Sequence, residues 1–367
     1  MRYGVAMSIL LSHTTALEAL RSMALKRRLE HGERATIPLP EKSPGKPELM
    51  AVLGRFPQLS LPLHVNAARR GHAVSPQLAC VHRSRVALPA GSAIRLSDDI
   101  YCSSPEHLVV QMAPSLTRLE VIFLLGELLG TYAIAPDHEE GMFNRRQPLT
   151  TRERVLAHLD ALGPVPGTAQ VRSALSSACE RSASPYETRL SMRLGLKPAL
   201  GGYHLRVLSM NAPLEVMRIG SALGPGTRKP DVLLGSTNVH APFSGVSFDY
   251  NGGIHRTPDA FERDARRQNE MLAVDFKNYV LTKSLYDDLD YMDDIVAQAQ
   301  ADLGVNPPHL TRDEAVRRRA RRAWLHDELE LIDGLHWNGR DRERRAVDSI
   351  PDEPPLEVVP LDAYGLA

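Results

Sequence analysis

The residues best suited to chemistry lie in the stretch 229–255, KPDVLLGSTNVHAPFSGVSFDYNGGIH. Two short apolar runs in it, 232–234 and 246–248, are each flanked by an aspartate, Asp231 and Asp249. Strands that carry carboxylates close to a tight turn can bring both acids to one edge of a sheet, so we expect these side chains to lie close together. Mg²⁺ prefers oxygen ligands and is usually bound through one or two carboxylates with water and phosphate oxygens. The pattern therefore predicts a divalent-cation site suited to phosphodiester cleavage.

A carboxylate, an amide and an imidazole extend this candidate site. Glu187 stands in the first turn of a helix predicted to begin at Ser184, where a carboxylate can complete or orient a cation site. His255 follows the Gly-Gly turn at 252–253, a position from which an imidazole can assist proton transfer near a phosphate. Asn251 can coordinate through its amide oxygen, although it carries no charge. Each residue also has an ordinary interpretation as a turn or surface residue, since Asn-Gly is a common turn signal.

The elements that must position these residues are predicted as a helix, three strands, a helix and a strand. The helix begins at Ser184, the three strands cover 204–208, 232–234 and 246–248, and a polar helix and a last strand cover 258–272 and 279–282. This order is typical of an α/β domain with a central sheet.

The first half of the chain predicts a separate α+β domain. A helix is expected after Ser12, which can cap its free amides, and four strand-like runs follow. The apolar stretch 116–135 contains Arg118, Glu120 and Glu127, so it predicts a buried helix rather than a membrane span. The segments 36–62 and 137–151 are expected to be irregular. The four strand-like runs are 61–65, 79–82, 93–96 and 100–102.

Length and composition bound the function without defining it. The 367 residues suffice for two domains and a tail, which we place at 1–175, 176–303 and 304–367. Lys and Arg balance Asp and Glu at 44 each, although residues 1–100 are net basic. The cysteines are Cys80, Cys102 and Cys179, without CxxC spacing, which favours reduced thiols and a cytoplasmic protein with no membrane partner.

Two predicted helices, one at the end of the second domain and one in the tail, carry opposite charges. Residues 286–303 form an acidic helix, and residues 312–331 form a helix rich in arginine. The arginines can touch a phosphate backbone, or they can pair with acids of their own helix such as Asp327 and Glu328. A third possibility is that the two helices serve as docking faces of a protein-interaction module.

The motifs of the second half resemble the PD-(D/E)XK nuclease superfamily, and more narrowly its very-short-patch-repair-like endonuclease domains. The likeness covers roughly residues 180–285 and rests on SASPYET at 182–188, LGGY at 200–203, PD at 230–231, FDYNG at 248–252 with His255, RDARRQN at 263–269 and YVLT at 279–282. It implies a restriction-endonuclease-like fold with a central mixed sheet and a site that binds Mg²⁺ or Mn²⁺. Asp231 and Asp249 would be the metal ligands, and the catalytic set would be Glu187, Asp231, Asp249, Asn251 and His255.

The same resemblance implies DNA as a partner, contacted by Arg256, Arg263, Arg266 and Arg267. The family usually places a glutamate on the third strand and a lysine or aspartate two residues later, where this chain has Asp249 and Asn251.

The first half is similar to AbiEi-type antitoxin and regulator proteins. The similarity lies in SHTTA at 12–16, HRS at 82–84 and SSPE at 103–106, and it implies a DNA-linked domain ahead of the nuclease-like one. Three hypotheses therefore stand. The chain is a Mg²⁺-dependent DNA endonuclease, a non-catalytic DNA-binding regulator or antitoxin of a toxin–antitoxin or phage-defence system with a toxin partner, or a protein-interaction module. The oligomeric state stays open.

Overall fold

The chain folds into two sheet-centred units, each with its own apolar core. A computed structural model describes residues 8–26, 29, 34–71, 73–218, 224–236, 238–251, 258–306, 309–337 and 339–342. The α/β class predicted from the sequence is confirmed. None of the described helices combines the length and the apolar character that a membrane crossing requires.

The first unit is built on a six-stranded mixed sheet. Its strands are β1 Ile9–Leu11, β2 Arg34–Ala35, β3 Leu63–Ala67, β4 Ala79–Arg83, β5 Ala93–Arg95 and β6 Ile100–Ser103. Their order is β2-β5-β6-β1-β3-β4, in which β1 runs parallel to β6 and β3 runs parallel to β4. The apolar strand β1 is buried along its whole length, as a strand inside such a sheet must be.

Helices cover this sheet and bury the largest apolar surface of the chain. They are α1 His13–Arg21, α2 Lys46–Arg55, α3 Pro105–Met112, α4 Arg118–Leu128, α5 Arg152–Leu162 and α6 Thr168–Leu175. Helix α4 begins with a capping box, since the Thr117 hydroxyl accepts from the Glu120 N–H and the Glu120 carboxylate accepts from the Thr117 N–H. Its residues from Leu119 to Leu128 are buried on every face, which confirms the predicted buried helix.

Two segments predicted to be irregular contain regular structure. Helix α2 lies within 36–62, because Pro47 falls in its first turn, where a missing N–H costs nothing, and Leu49 and Val52 are buried. Within 137–151, the strand β8 Met142–Asn144 pairs with β7 Tyr132–Ile134 as a hairpin. In both places tertiary burial outweighed the proline-rich or polar composition.

The second unit contains the predicted helix, three strands, helix and strand, and between the first and second of these strands it adds a hairpin that the sequence did not predict. Its elements are α7 Pro185–Gly195, β9 Val207–Ser209, β10 Leu214–Arg218, β11 Gly224–Arg228, β12 Val232–Gly235, β13 Gly245–Asn251, α8 Pro258–Leu272 and β14 Phe276–Thr282. The sheet order is β14-β13-β12-β9, while β10 and β11 form a separate hairpin. Only the β13–β14 pair of this sheet is parallel, and α8 provides the crossover that a parallel pair requires.

Helix α7 is shared between the two cores. Its Leu190 and Leu194 belong to the core of the second unit, whereas Met192 belongs to that of the first. A Cβ added at Gly126 of α4 would lie 2.5 Å from the Thr188 side chain, so glycine permits the close approach of α4 and α7. The helix that carries Glu187 is therefore held from both sides.

Within the described residues, three helices follow the second sheet, and the last of them returns the chain to the first unit. They are α9 Lys283–Asp287, α10 Leu289–Asp302 and α11 Arg312–Leu331. The prediction of one continuous acidic helix was wrong, because Asp288 caps α10 by accepting from the Asp290 and Tyr291 N–H groups. Leu325 and Leu329 of α11 lie in the first core.

The two oppositely charged helices contact each other. Arg319 of α11 reaches an oxygen of Asp290 at 2.5 Å, and Arg322 donates to Asp293 at 3.0 Å. The acids that pair with these arginines thus come from α10, not from α11 itself.

A buried ion pair joins α1 to α4 and to the segment after α11. Arg21 donates through Nε and Nη2 to the two carboxylate oxygens of Glu127 at 2.8 and 2.5 Å, and through Nη1 to the Gly334 carbonyl at 2.7 Å. The side chains are 8% and 1% exposed, so removing either partner leaves a charge buried without compensation.

Glu127→Ala is therefore expected to lower the free energy of unfolding by about 3–5 kcal/mol. Urea unfolding followed by circular dichroism measures the change. Asp160→Ala is the matched control, because it removes an exposed pair with Arg172 and should change stability by less than about 1 kcal/mol. Equal losses in the two variants would contradict the role given to burial.

Candidate active site

The structure brings Asp231 and Asp249 together, as the sequence predicts. In the antiparallel β12–β13 pair Val232 lies opposite Phe248, which leaves the two aspartates next to each other at one end of the pair. The Asp231 N–H donates to Asp249 Oδ1 at 3.1 Å, and the Tyr250 N–H donates to Asp231 Oδ2 at 2.6 Å. Backbone amides therefore fix both carboxylates.

These carboxylates open into a small polar cavity of about 150 Å³. Asn251 lies on its wall, so its place beside the two acids also agrees with the sequence pattern. The cavity is the size of a few water molecules or one hydrated ion. It is lined by Asp231, Asp249, Tyr250, Asn251, Arg267, Asn278 and Val280.

Both oxygens of Asp249 accept hydrogen bonds from side chains of the crossover helix α8 and of the strand β14 that follows it. Arg267 of α8 donates from Nη2 to Oδ1 at 2.8 Å, and Asn278 of β14 donates from Nδ2 to Oδ2 at 2.9 Å. Arg267 also donates to the Lys229 carbonyl at 2.9 Å. Its guanidinium therefore lies inside the carboxylate site and offsets the charge of Asp249.

Glu187 approaches from α7 and is held by its own helix terminus. The Ser184 hydroxyl caps the helix by accepting from the Glu187 N–H at 3.1 Å. The Glu187 Oε2 accepts from the Ala183 N–H at 2.7 Å and from Asn211 Nδ2 at 2.6 Å. Burial raises the pKa of Glu187 above its usual value, and the negative charge of Asp249 acts in the same direction.

Asp231 is the most perturbed carboxyl group of the site. Burial, as the largest cause, and the nearby charges of Glu187 and Asp249 together raise its pKa to about 7. The Tyr250 N–H and Arg267 oppose this shift without cancelling it. Three carboxylates therefore compete for too little positive charge, which is the electrostatic condition that a bound cation relieves.

The oxygen donors fit Mg²⁺ or Mn²⁺ in type, although they do not form a closed cage. Among the described residues, two groups of His, Cys, Asp and Glu have ligand atoms mutually within 4.8 Å, and the Glu187, Asp231 and Asp249 set is not one of them. Mg²⁺ needs only one or two protein carboxylates, because water and phosphate oxygens complete its octahedron. The residues present meet that requirement.

Several residues predicted for this site lie elsewhere or outside the described part of the chain. His255, Arg256 and the side chain of Arg263 fall outside the described residues. Arg266 lies on the exposed side of α8, where it contacts Glu262 four residues earlier at 2.6 Å. Arg266 is thus placed on the surface, whereas Arg267 turns inward.

Sequence reasoning missed two asparagines that hold the carboxylates. Asn278 lies opposite Ser247 in the β13–β14 pair and accepts from its hydroxyl at 2.7 Å. A polar residue inside the otherwise strand-like FKNYVLT was the available signal. Asn211 follows β9 and shows no such signal in the sequence. Its contact with Glu187 depends on the tertiary fold, which brings the segment after β9 back to α7.

No protein-family model, curated protein or solved structure matches this chain. The resemblances to PD-(D/E)XK nucleases and to AbiEi-type proteins therefore stay predictions.

Asp231→Asn is expected to change how stability depends on pH in metal-free protein. The folded pKa of about 7 exceeds the ordinary value of 3.8, so the folded state favours the protonated acid. The free energy of unfolding should fall as pH rises from about 4 to about 7 and then level off, and the variant should fall less. At about pH 8 the variant should be the more stable protein, by an amount on the order of a few kcal/mol.

Urea unfolding with a chelator present, at about pH 4.5 and about pH 8, measures this difference. The asparagine keeps an oxygen that can accept from the Tyr250 N–H, so the comparison isolates the charge. Parallel pH profiles for the two proteins would contradict the raised pKa.

Proposed function

We propose that the second unit is a metal-dependent endonuclease-like domain that hydrolyses DNA phosphodiesters. The observation that carries this proposal is the meeting of three carboxylates, the buried Glu187 and Asp249 and the half-buried Asp231, where desolvation and the two neighbouring charges together raise the pKa of Asp231 to about 7. Crowding carboxylates in this way does not stabilise the folded state, because it disfavours the ionised form of Asp231. Groups with strongly perturbed pKa values at a cavity are typical of functional sites.

The chain's own residues have distinct tasks in this proposal. Asp231 and Asp249 would hold Mg²⁺ or Mn²⁺, and the amide oxygen of Asn251 adds a neutral donor on the same wall. The ion, when bound, supplies positive charge for the phosphate and lowers the pKa of a water molecule. Glu187 orients the site from α7, while Arg267 restrains the Asp249 carboxylate from α8. His255, Arg256, Arg263 and Arg266 are proposed to act toward the phosphate or the DNA backbone.

Calorimetric titration with Mg²⁺ or Mn²⁺ tests the cation site directly. Wild type is expected to bind the ion, and Asp231→Asn should weaken binding by at least about tenfold, because one carboxylate charge is lost. Asp160→Asn is the control, since it removes an exposed carboxylate of the first unit that does not line the cavity. Absence of binding to wild type would remove the basis of the proposal.

Cleavage of plasmid DNA in the presence of Mg²⁺ tests the chemistry. Asp231→Asn should reduce the rate by about a hundredfold or more, while Asp160→Asn should cut like wild type. Circular dichroism of both variants checks that the fold is kept. A folded Asp231→Asn protein that cleaves at the wild-type rate would contradict the assignment.

One observation favours a second candidate, a non-catalytic DNA-binding regulator or antitoxin with a toxin as protein partner. Arg267 and Asn278 already satisfy both oxygens of Asp249, so this carboxylate is stable without a cation. A cytoplasmic location fits either function, because the three cysteines are free thiols.

The second candidate predicts DNA binding that persists in a chelator and weakens with salt. Affinity measured by fluorescence anisotropy should fall at least about tenfold between about 50 mM and about 200 mM salt, because phosphate contacts release counterions. Arg266→Ala should weaken binding to all sequences and reduce the salt slope by about 1. An affinity that does not change with salt would exclude this candidate.

A further inference from the structure

A cluster of three histidines lies in the first unit, far along the chain from the carboxylate site. His13 begins α1, His64 lies on β3 and His82 lies on β4. Each offers a ring nitrogen, and these nitrogen atoms lie within 4.8 Å of one another. Three imidazoles at such distances form a donor set quite different from the oxygen donors of the second unit.

Strand pairing explains why these residues meet. In the parallel β3–β4 pair His64 lies opposite Cys80 and Asn66 lies opposite His82. Side chains two residues apart on a strand share a face, so His64, Asn66 and His82 point to the same side of the sheet. Strand β1 pairs with β3 on its other edge, and it ends where α1 begins, which delivers His13 to that face.

The rings are in direct contact. His64 Nδ1 lies 2.9 Å from His82 Nε2, and the His13 ring stacks on the His82 ring with centroids 3.5 Å apart. Zinc bonds to histidine nitrogen are about 2.0–2.1 Å long, which places tetrahedral ligand atoms about 3.3 Å apart. The contacting nitrogens of His64 and His82 are already close to that separation, whereas the His13 ring must turn out of its stack on His82 to bring a nitrogen to the same ion.

His13 is held in an unusual backbone conformation at this position. Its φ is +48°, in the left-handed region that side chains other than glycine rarely adopt. Ser12, the residue before α1, makes no side-chain cap, and its hydroxyl lies 3.1 Å from His13 Nδ1 instead. The strained backbone of His13 and the missing side-chain cap of Ser12 accompany one fixed orientation of the His13 ring. Backbone strain of this kind is common at functional sites.

The cluster opens into a cavity of about 340 Å³ whose walls carry unsatisfied polar groups. His13 and His82 line it together with Asn66 and Gln111. In the part of the chain that the structure describes, Asn66 Oδ1 and both polar atoms of the Gln111 side chain are buried without a hydrogen-bond partner. Asn66 is only 4% exposed. A buried amide without a partner is costly, so these groups indicate a ligand or ordered water in the cavity.

The imidazoles are in the form that binds metal. Burial lowers the pKa of His13 to about 2 and that of His82 to about 4, and it lowers the pKa of His64 as well. The histidines also lower one another's pKa, because two positive rings in contact repel. A neutral imidazole keeps one ring nitrogen unprotonated, and the nitrogens of His64 and His82 that would face an ion contact each other in the metal-free protein.

We propose that His13, His64 and His82 bind Zn²⁺ or a similar divalent transition-metal ion at the mouth of this cavity. Three protein ligands leave a fourth position, which in zinc enzymes holds a water molecule or a substrate atom. That position would face the cavity side of the cluster, where Asn66 and Gln111 can donate or accept hydrogen bonds. Mg²⁺ would not occupy this site, because it prefers oxygen ligands.

The other group of potential ligands is already neutralised. Asp287, His326 and Glu330 also meet the distance criterion, but Lys283 contacts Asp287 at 2.7 Å and Glu330 at 2.9 Å. The Lys283 ammonium group therefore neutralises these two carboxylates where a metal ion would otherwise be needed. His326 therefore offers a matched control for the histidine cluster.

The test is metal uptake by the full chain after treatment with a chelator. Equilibrium dialysis against Zn²⁺ with elemental analysis should give one equivalent bound to the cluster in wild type. The visible spectrum of the Co²⁺ form should show a four-coordinate ion. His64→Gln and His82→Gln should each lower the Zn²⁺ affinity of this site more than about a hundredfold. Loss of a residue that only hydrogen-bonds a metal ligand already lowers metal affinity by about 10–100-fold, and these variants remove a ligand itself. His326→Gln and Asp231→Asn should keep it.

Wild-type protein that takes up no Zn²⁺ would overturn the proposal without recourse to any variant. So would folded His64→Gln and His82→Gln proteins that retain the full equivalent with unchanged affinity. Thermal unfolding with and without Zn²⁺ checks folding and gives a second measure, because an ion bound only to the folded state raises the melting temperature. That rise should be lost in the two cluster variants and kept in His326→Gln.

Discussion

The parallel pairing of β13 with β14 is the constraint on which the second unit depends. Parallel neighbours cannot be joined by a hairpin, so the chain must leave the sheet and return through α8. That crossover carries Arg267 to one oxygen of Asp249, and the returning strand carries Asn278 to the other. Asn251 has no charge to contribute on β13. A positive charge beside the buried acid comes instead from α8, so the electrostatics of the site follow from the topology.

The two candidate sites divide the chemistry of the chain between its two sheets. Hard oxygen donors with an adjacent guanidinium meet in the second unit, and neutral nitrogen donors meet in the first. Each set stands at strand ends or on a strand face beside a cavity, and each is destabilising for the metal-free fold. In one case like charges crowd together, and in the other buried amides lack partners. This local loss of stability distinguishes the carboxylate site and the histidine cluster from the rest of the protein surface.

What the sequence predicted well was local. The burial of α4 and the meeting of Asp231 with Asp249 follow from a largely apolar stretch and from aspartates flanking short apolar runs. What it did not predict depends on contacts between distant segments. The histidines at 13, 64 and 82 share no motif and meet only because β3 pairs with both β1 and β4. Helix α2 was missed because the prolines of the segment 36–62 favour a loop, and the burial of Leu49 and Val52 cannot be seen in the sequence.

The return of α11 to the first core makes the second unit an insertion. The first core takes residues up to Leu196 and then again from Leu325, and the whole second sheet lies between them. Arg189 of α7 donates to the Ile332 carbonyl at 2.8 Å. The segment that leads into the second unit and the segment that returns from it are therefore hydrogen-bonded to each other. A domain held by one linker can swivel about it, whereas one held at two tied points cannot. The two candidate sites would therefore keep a fixed orientation relative to each other.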